Sequence, residues 1–186
     1  MPGTLRISHP ALSGANADET IRFYTETLEM ELVLRQENLD YPSEEHLFFH
    51  VGDDNFIAYF VPKAGVDPGR YEAARSGSGH MDHLAIDIRL ADLEPFRARL
   101  VAAGVPVDGP IDRGYERSIY FPDPNGVTIE LLAWITEPPE SLTQAAIIAR
   151  AQQLREARGA AFIEDGDVRA AIVALQADAD ASTGSR

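Results

Sequence analysis

The chain carries one pattern twice, and this constrains its fold more than any other feature. Ser8-His9-Pro10-Ala11-Leu12 aligns with Asp82-His83-Leu84-Ala85-Ile86 at an offset of 74 residues. The same offset sets Ala17-Asp18 over Ala91-Asp92 and Val33 over Val107. Two residues are then lost. At an offset of 72, Phe48-Phe49 falls over Tyr120-Phe121 and Ile57 over Ile129. Self-similarity of this kind marks a duplicated structural unit.

Local signals give that unit its content. Ile21, Tyr24 and Leu28 follow helical spacing behind the possible caps Asn16 and Asp18; Leu93, Phe96, Leu100 and Val101 do so in the second copy, where Gly104 supplies a left-handed stop. HLFFHV and NFIAYFV around Gly52-Asp53-Asp54 predict a hairpin, and RSIYF and VTIELLAW around Pro122-Asp123-Pro124-Asn125-Gly126 predict its counterpart. Each copy is therefore a strand, a helix and three strands, and the class is α+β. The expected division is a first βαβββ module at 1–62, a linker at 63–80, a second module at 81–136, a C-terminal helical extension at 137–178 and a disordered tail at 179–186. Within the extension, Ser141 and Gln144 form a capping-box pattern. Ile147, Ile148, Ala151 and Leu154, then Val168, Ala171, Ile172 and Leu175, form apolar stripes. Such stripes pack on the core or on a partner subunit, and a homodimer is expected; the alternative is a gate over the site.

Composition narrows the chemistry. The 186 residues are 45% hydrophobic, enough for a packed core, and include no cysteine. Disulfides, thiolate nucleophiles and sulfur-ligated metals are excluded, so any metal must be held by His, Asp or Glu. A net charge of −14 disfavours nucleic acid and anionic membranes as partners. No apolar run approaches the roughly 20 residues that cross a bilayer, and MPGTLRISHP lacks the basic and apolar regions of a signal peptide. The expected location is the cytoplasm.

His9 and His83 occupy repeat-equivalent positions, and strand alternation sets Glu130 on the face opposite Ile129 and Leu131. An ionised carboxylate there is costly unless paired. Two histidines and one carboxylate on a common face make a ligand set with open positions for water, substrate or dioxygen. The competing reading is two hydrogen-bonded core histidines and an edge-strand charge.

ISHPAL, ADETIRFYTETLEMEL, MDHLAIDI and SIYFPDPNGVTIELLAW together resemble the vicinal-oxygen-chelate superfamily of glyoxalases, extradiol dioxygenases, fosfomycin-resistance enzymes and bleomycin-binding proteins. The resemblance covers roughly residues 5 to 135, and its most specific part is the last hairpin. It implies two βαβββ modules forming a half-barrel around one divalent metal, held here by His9, His83 and Glu130. Glu130 lies over Ala58, where glyoxalase-like lyases and isomerases usually have a further carboxylate. Alanine cannot ligate or accept a proton.

The remaining triad resembles that of extradiol dioxygenases, which implies Fe(II), with Mn, Zn or Ni as alternatives, a small catechol-like substrate presenting vicinal oxygens, and dioxygen. Tyr120, ten residues before Glu130, resembles the substrate-facing tyrosine of those enzymes; packing is its other reading. The acid–base histidines common there are missing from Asp112-Arg113-Gly114-Tyr115-Glu116-Arg117, leaving His50 and His80 as replacements. Arg117 is a candidate for a substrate carboxylate. The alternatives are a lyase or isomerase using another divalent metal, and a metal-free protein that binds its ligand in the cavity.

Overall fold

The computed structural model describes residues 7–38, 40–53, 55–66 and 81–183. The expected duplication is present. β1 (Ala11–Ser13), α1 (Ala17–Arg22), β2 (Glu31–Glu37), β3 (Glu44–Gly52) and β4 (Asn55–Pro62) form the first copy; β5 (Leu84–Asp87), α2 (Leu93–Ala102), β6 (Asp108–Asp112), β7 (Glu116–Pro122) and β8 (Thr128–Trp134) form the second. Each copy makes a four-stranded sheet, in the orders β1-β4-β3-β2 and β5-β8-β7-β6. β1 runs parallel to β4, and the β2-β3 and β3-β4 pairs are antiparallel. Two helices follow, α3 (Gln144–Ala157) and α4 (Asp165–Thr183). Among the described residues no helix is long and apolar enough to cross a membrane.

Local chemistry accounts for most boundaries. Asn16 caps α1 by accepting the Glu19 N–H at 3.1 Å. The helix continues as a π-turn, Phe23–Thr27, closed by Leu28 N–H on the Phe23 carbonyl at 3.0 Å. Gly104 (φ +78°) ends α2 as its sequence position predicts. Val101 departs from the expected stripe, being 56% exposed while Leu93 and Leu100 are buried. The cap of α3 is Thr143, whose hydroxyl accepts the Ala146 N–H at 3.2 Å, instead of Ser141. Ser141 lies inside a turn closed by the Leu142 N–H on the Pro139 carbonyl at 3.0 Å, and the helix begins at Gln144. α4 runs on to Thr183, where the sequence suggested a loss of order from 179.

Two compact units result, and neither is contiguous in sequence. The first comprises the chain to Ile86 with Ala98–Pro106 and Phe121–Ile129; the second comprises Asp87–Arg97, Val107–Tyr120 and the chain from Glu130. In the first, Leu47, Phe49, Ile57, Tyr59 and Val61 alternate onto one face of β3 and β4 and are buried with Phe23, Tyr24 and Leu28. The Asp123-Pro124-Asn125-Gly126 turn is tied into this core. Asp123 accepts the Tyr59 hydroxyl at 2.6 Å, the Tyr24 hydroxyl at 3.3 Å and the Val127 N–H at 2.7 Å. Asn125 accepts the Ala15 N–H at 2.9 Å and donates to the Thr20 hydroxyl at 3.0 Å. Burial first, then the charge of Asp123, pushes the Tyr24 hydroxyl well above its usual range, and burial likewise raises Tyr59.

In the second unit, Trp134, Ile147, Ala151, Val168, Ala171 and Ile172 form a core against which Tyr115, Leu132, Ile148, Leu154 and Leu175 pack. Both predicted stripes are thus covered within the chain. Arg158, at the end of α3, makes a bidentate pair with Asp167 at 2.9 and 2.7 Å, and Asp167 also accepts the Glu164 N–H at 2.9 Å. Those bonds, the Arg158 bond foremost, lower Asp167 to about 2.

Candidate functional site

His9 and His83 lie just ahead of β1 and β5, where the repeat puts them, although neither is within a strand. Pro10 has no N–H, so the β1-β4 ladder opens with the Ala58 N–H on the Pro10 carbonyl at 3.0 Å. The His9 ring rests against Phe48, centroids 4.8 Å apart, and its Nδ1 is 3.1 Å from the Ser8 hydroxyl. His83 Nδ1 is 2.9 Å from an Asp82 carboxylate oxygen.

Glu130 is 5% exposed, on the expected face of β8, between the buried Ile129 and Leu131. Tyr120, half-buried on the neighbouring β7, donates its hydroxyl to a Glu130 carboxylate oxygen. The ten-residue spacing is therefore a cross-strand contact. Burial first, then that bond, raises the Tyr120 phenol. Arg113 closes the group: its Nη2 donates to the Tyr120 hydroxyl at 3.3 Å, and its guanidinium carbon stands 5.6 Å from the ring centroid. Burial, then the charge of Glu130, pushes Glu116 above the usual carboxylate range, and burial followed by Glu116 pushes Tyr115 up to about 12. Desolvated carboxylates, two phenols and one guanidinium share this part of the second unit.

Other expected residues fall elsewhere. His50 Nε2–H donates to the Asp53 carbonyl at 2.8 Å and its ring packs on Phe56, so it braces the β3-β4 turn. His80 lies outside the described residues. Arg117 is exposed and faces Asp112 at 3.9 Å; the cation at Tyr120 is Arg113, four residues earlier. His46 escaped the sequence reading. It stacks on Phe60 at 4.3 Å with its Nε2 buried and unpaired among the described residues, and burial, then His9, lowers its pKa. Only strand alternation from His50 could have signalled it. Among the described residues, no three His, Asp or Glu side chains stand together as a group able to hold a metal ion. A cavity of about 380 Å³ in the first unit, lined by residues such as Asn16, Arg35, Glu45 and Lys63, includes none of the expected site residues.

Known proteins give this geometry a family. No curated protein matches the chain in sequence. Among solved structures, a glyoxylase/bleomycin resistance protein/dioxygenase domain from Frankia sp. EAN1pec is similar with a TM-score of 0.60 at 18% identity, covering 71% of this chain and 99% of its own. The fosfomycin resistance protein FosX of Listeria monocytogenes, complexed with Mn(II) and sulfate, gives 0.53 at 19%, covering 70% and 93%. TnmS3, an antibiotic binding protein from Streptomyces sp. CB03234, gives 0.53 at 22%, covering 72% and 99%. At these identities the likeness shows a shared fold. The model of one family matches residues 6–131, both βαβββ copies almost to the end of β8, and the chain belongs to that family, the Glyoxalase/Bleomycin resistance protein/Dioxygenase superfamily.

Proposed function

We propose that this chain is a metal-dependent enzyme acting on a small aromatic substrate with two neighbouring oxygens, and that His9, His83 and Glu130 hold one divalent ion, Fe(II) in our reading. The observation that carries the proposal is the buried Glu130 carboxylate with the Tyr120 hydroxyl donated to it. A desolvated carboxylate on a strand face, beside a phenol and a guanidinium, is costly to maintain for packing alone. The donor types, two imidazoles and a carboxylate, suit Fe(II), Mn(II) or Zn(II). Because no ready three-residue group is present among the described residues, the triad is proposed for the metal-loaded protein. Bound there, the ion supplies Lewis acidity that lowers the pKa of a chelating substrate hydroxyl.

The protein's own groups do the rest. Tyr120 holds a proton at its hydroxyl within reach of Glu130, available to a substrate oxygen as charge develops. Arg113 offsets the carboxylates. With His50 engaged at the β3-β4 turn, His80 is proposed as the acid–base group, dioxygen as co-substrate and a homodimer as the assembly, which light scattering of the full chain tests.

A second reading, a metal-free binding protein, draws support from the lack of a three-residue group among the described residues and from the likeness to TnmS3. Ala58, where a fourth carboxylate would stand, weighs against a lyase or isomerase. The discriminating experiment is anaerobic reconstitution with Fe(II), Mn(II), Zn(II) or Ni(II), followed by metal analysis and oxygen uptake over a catechol panel. Stoichiometric iron with substrate-dependent oxygen uptake supports the proposal. Full metal occupancy with no oxygen uptake and turnover of methylglyoxal with a thiol moves the assignment to a lyase, and no metal retention with tight aromatic binding moves it to a binding protein.

A further inference from the structure

The region that matches the family ends at Leu131, so the hairpin of α3 and α4 lies outside it. Its position is informative. Strand alternation puts Leu132 and Trp134 on the Glu130 face of β8, and these two, with Tyr115 just ahead of β7, belong to the apolar cluster on which the hairpin packs. Tyr115 meets Trp134 edge to face at 5.2 Å, and the Gln144 amide at the start of α3 donates to Asp87 of β5 at 2.9 Å.

The hairpin also grips the turn between β6 and β7. The Asp165 N–H, the first of α4, donates to the Gly114 carbonyl at 3.1 Å. Gly114 has φ +96°, and a Cβ there would lie 2.6 Å from the Ile163 carbonyl oxygen, a backbone atom with no freedom to yield. The turn is ordered from within as well, Gly114 N–H on Asp112 Oδ1 at 2.8 Å and Arg113 N–H on the Glu116 carbonyl at 2.9 Å. The clamp is itself braced, because the Arg158–Asp167 pair joins the end of α3 to the first turn of α4. Arg113 is the residue next to the gripped glycine, and its side chain reaches Tyr120.

We propose that the C-terminal hairpin is a positioning element of the site: by seating Gly114 it sets the Arg113 guanidinium over the Tyr120 ring and so orders the Tyr120–Glu130 pair. A hydrogen bond of 3.3 Å is near its geometric limit, so a displacement of the turn by about 1 Å breaks it. Arg113 is a positioning residue that acts through Tyr120. That Tyr120 and Glu130 belong to an active site rests on the functional reading above; the contact chain from Asp165 to Glu130 does not.

The test follows Arg113 by NMR in the full chain labelled at arginine, the resonance assigned by its loss in Arg113→Lys. A guanidinium over a phenol ring takes an upfield ring-current displacement. Asp165→Pro removes the N–H that grips Gly114, at a first helical position where proline is tolerated, together with the carboxylate that pairs with Arg169 at 3.3 Å; Asp165→Ala loses that carboxylate, keeps the N–H and serves as its control; Gly114→Ala forces the turn off Ile163. In folded Asp165→Pro and Gly114→Ala, with α4 amides still protected, the displacement should collapse. In the wild type, the Arg113 and Gly114 amides should exchange with solvent as slowly as those of Asp167 and Val168. Either a retained displacement in both variants or a turn that exchanges far faster than α4 in the wild type reduces the hairpin to a packing element. None of these readouts uses a metal or turnover, so failure of the enzyme reading leaves this result intact.

Discussion

The Tyr120 hydroxyl donates to the Glu130 carboxylate across the adjacent strands β7 and β8, joining the one expected metal ligand that is buried to the one expected substrate-facing phenol. Tyr120→Phe deletes this donor and no volume. The fold should persist, with a stability loss of about 1 kcal/mol because Tyr120 is only half-buried. If the phenol serves developing charge, turnover should fall by about 10²–10³. Unchanged kcat and kcat/KM on the best substrate would remove Tyr120 from the mechanism.

Replacing His9, His83 or Glu130 by alanine should abolish most metal binding in the reconstituted protein while leaving circular dichroism unchanged. Both histidines lie at strand entrances outside the apolar cores, so their loss opens no core cavity. Equal stoichiometric metal in all three variants would disprove the ligand assignment.

Asp123 anchors the DPNG turn through two tyrosine hydroxyls and backbone N–H groups. Asp123→Ala strands these donors in the core and should cost about 2–4 kcal/mol. Chemical denaturation measures this. Asp123→Asn retains acceptor capacity and should cost less, and a loss equal to that of alanine would mean that the charge matters more than the bonds.

The depressed pKa of Asp167 makes the hairpin acid-sensitive in a defined window. The folded carboxyl titrates near 2 and the unfolded one near its ordinary 3.8, so the unfolded state binds the proton first as pH falls. The contribution is complete above about pH 4–5 and is lost progressively down to about pH 2. Asp167→Asn should flatten the stability profile across that window and lower stability at neutral pH by about 1–2 kcal/mol. An unchanged profile would show that the Arg158 pair contributes nothing measurable.

The sequence by itself determined the duplicated βαβββ order, the Asn16 cap, the Gly104 stop, the two hairpins and the face on which Glu130 lies. Those features depend on residues within a turn or two of one another, and helix or strand periodicity records them directly. Thr143 displaced Ser141 as a cap because Ser141 is taken up by the turn that the Leu142 N–H closes on the Pro139 carbonyl, a choice still local but contested by neighbouring signals. Tertiary structure alone decided what the charged and aromatic residues touch. Asp123 meets Tyr24 from 99 positions away, and Arg113 instead of Arg117 reaches Tyr120 because Gly114, clamped against Ile163, turns the chain there. The same limit applied to the helical stripes. Periodicity showed that α3 and α4 each had an apolar side to bury, but whether that side would meet a partner or Trp134 depended on pairwise contacts between segments far apart in sequence, and a one-dimensional pattern carries no record of them.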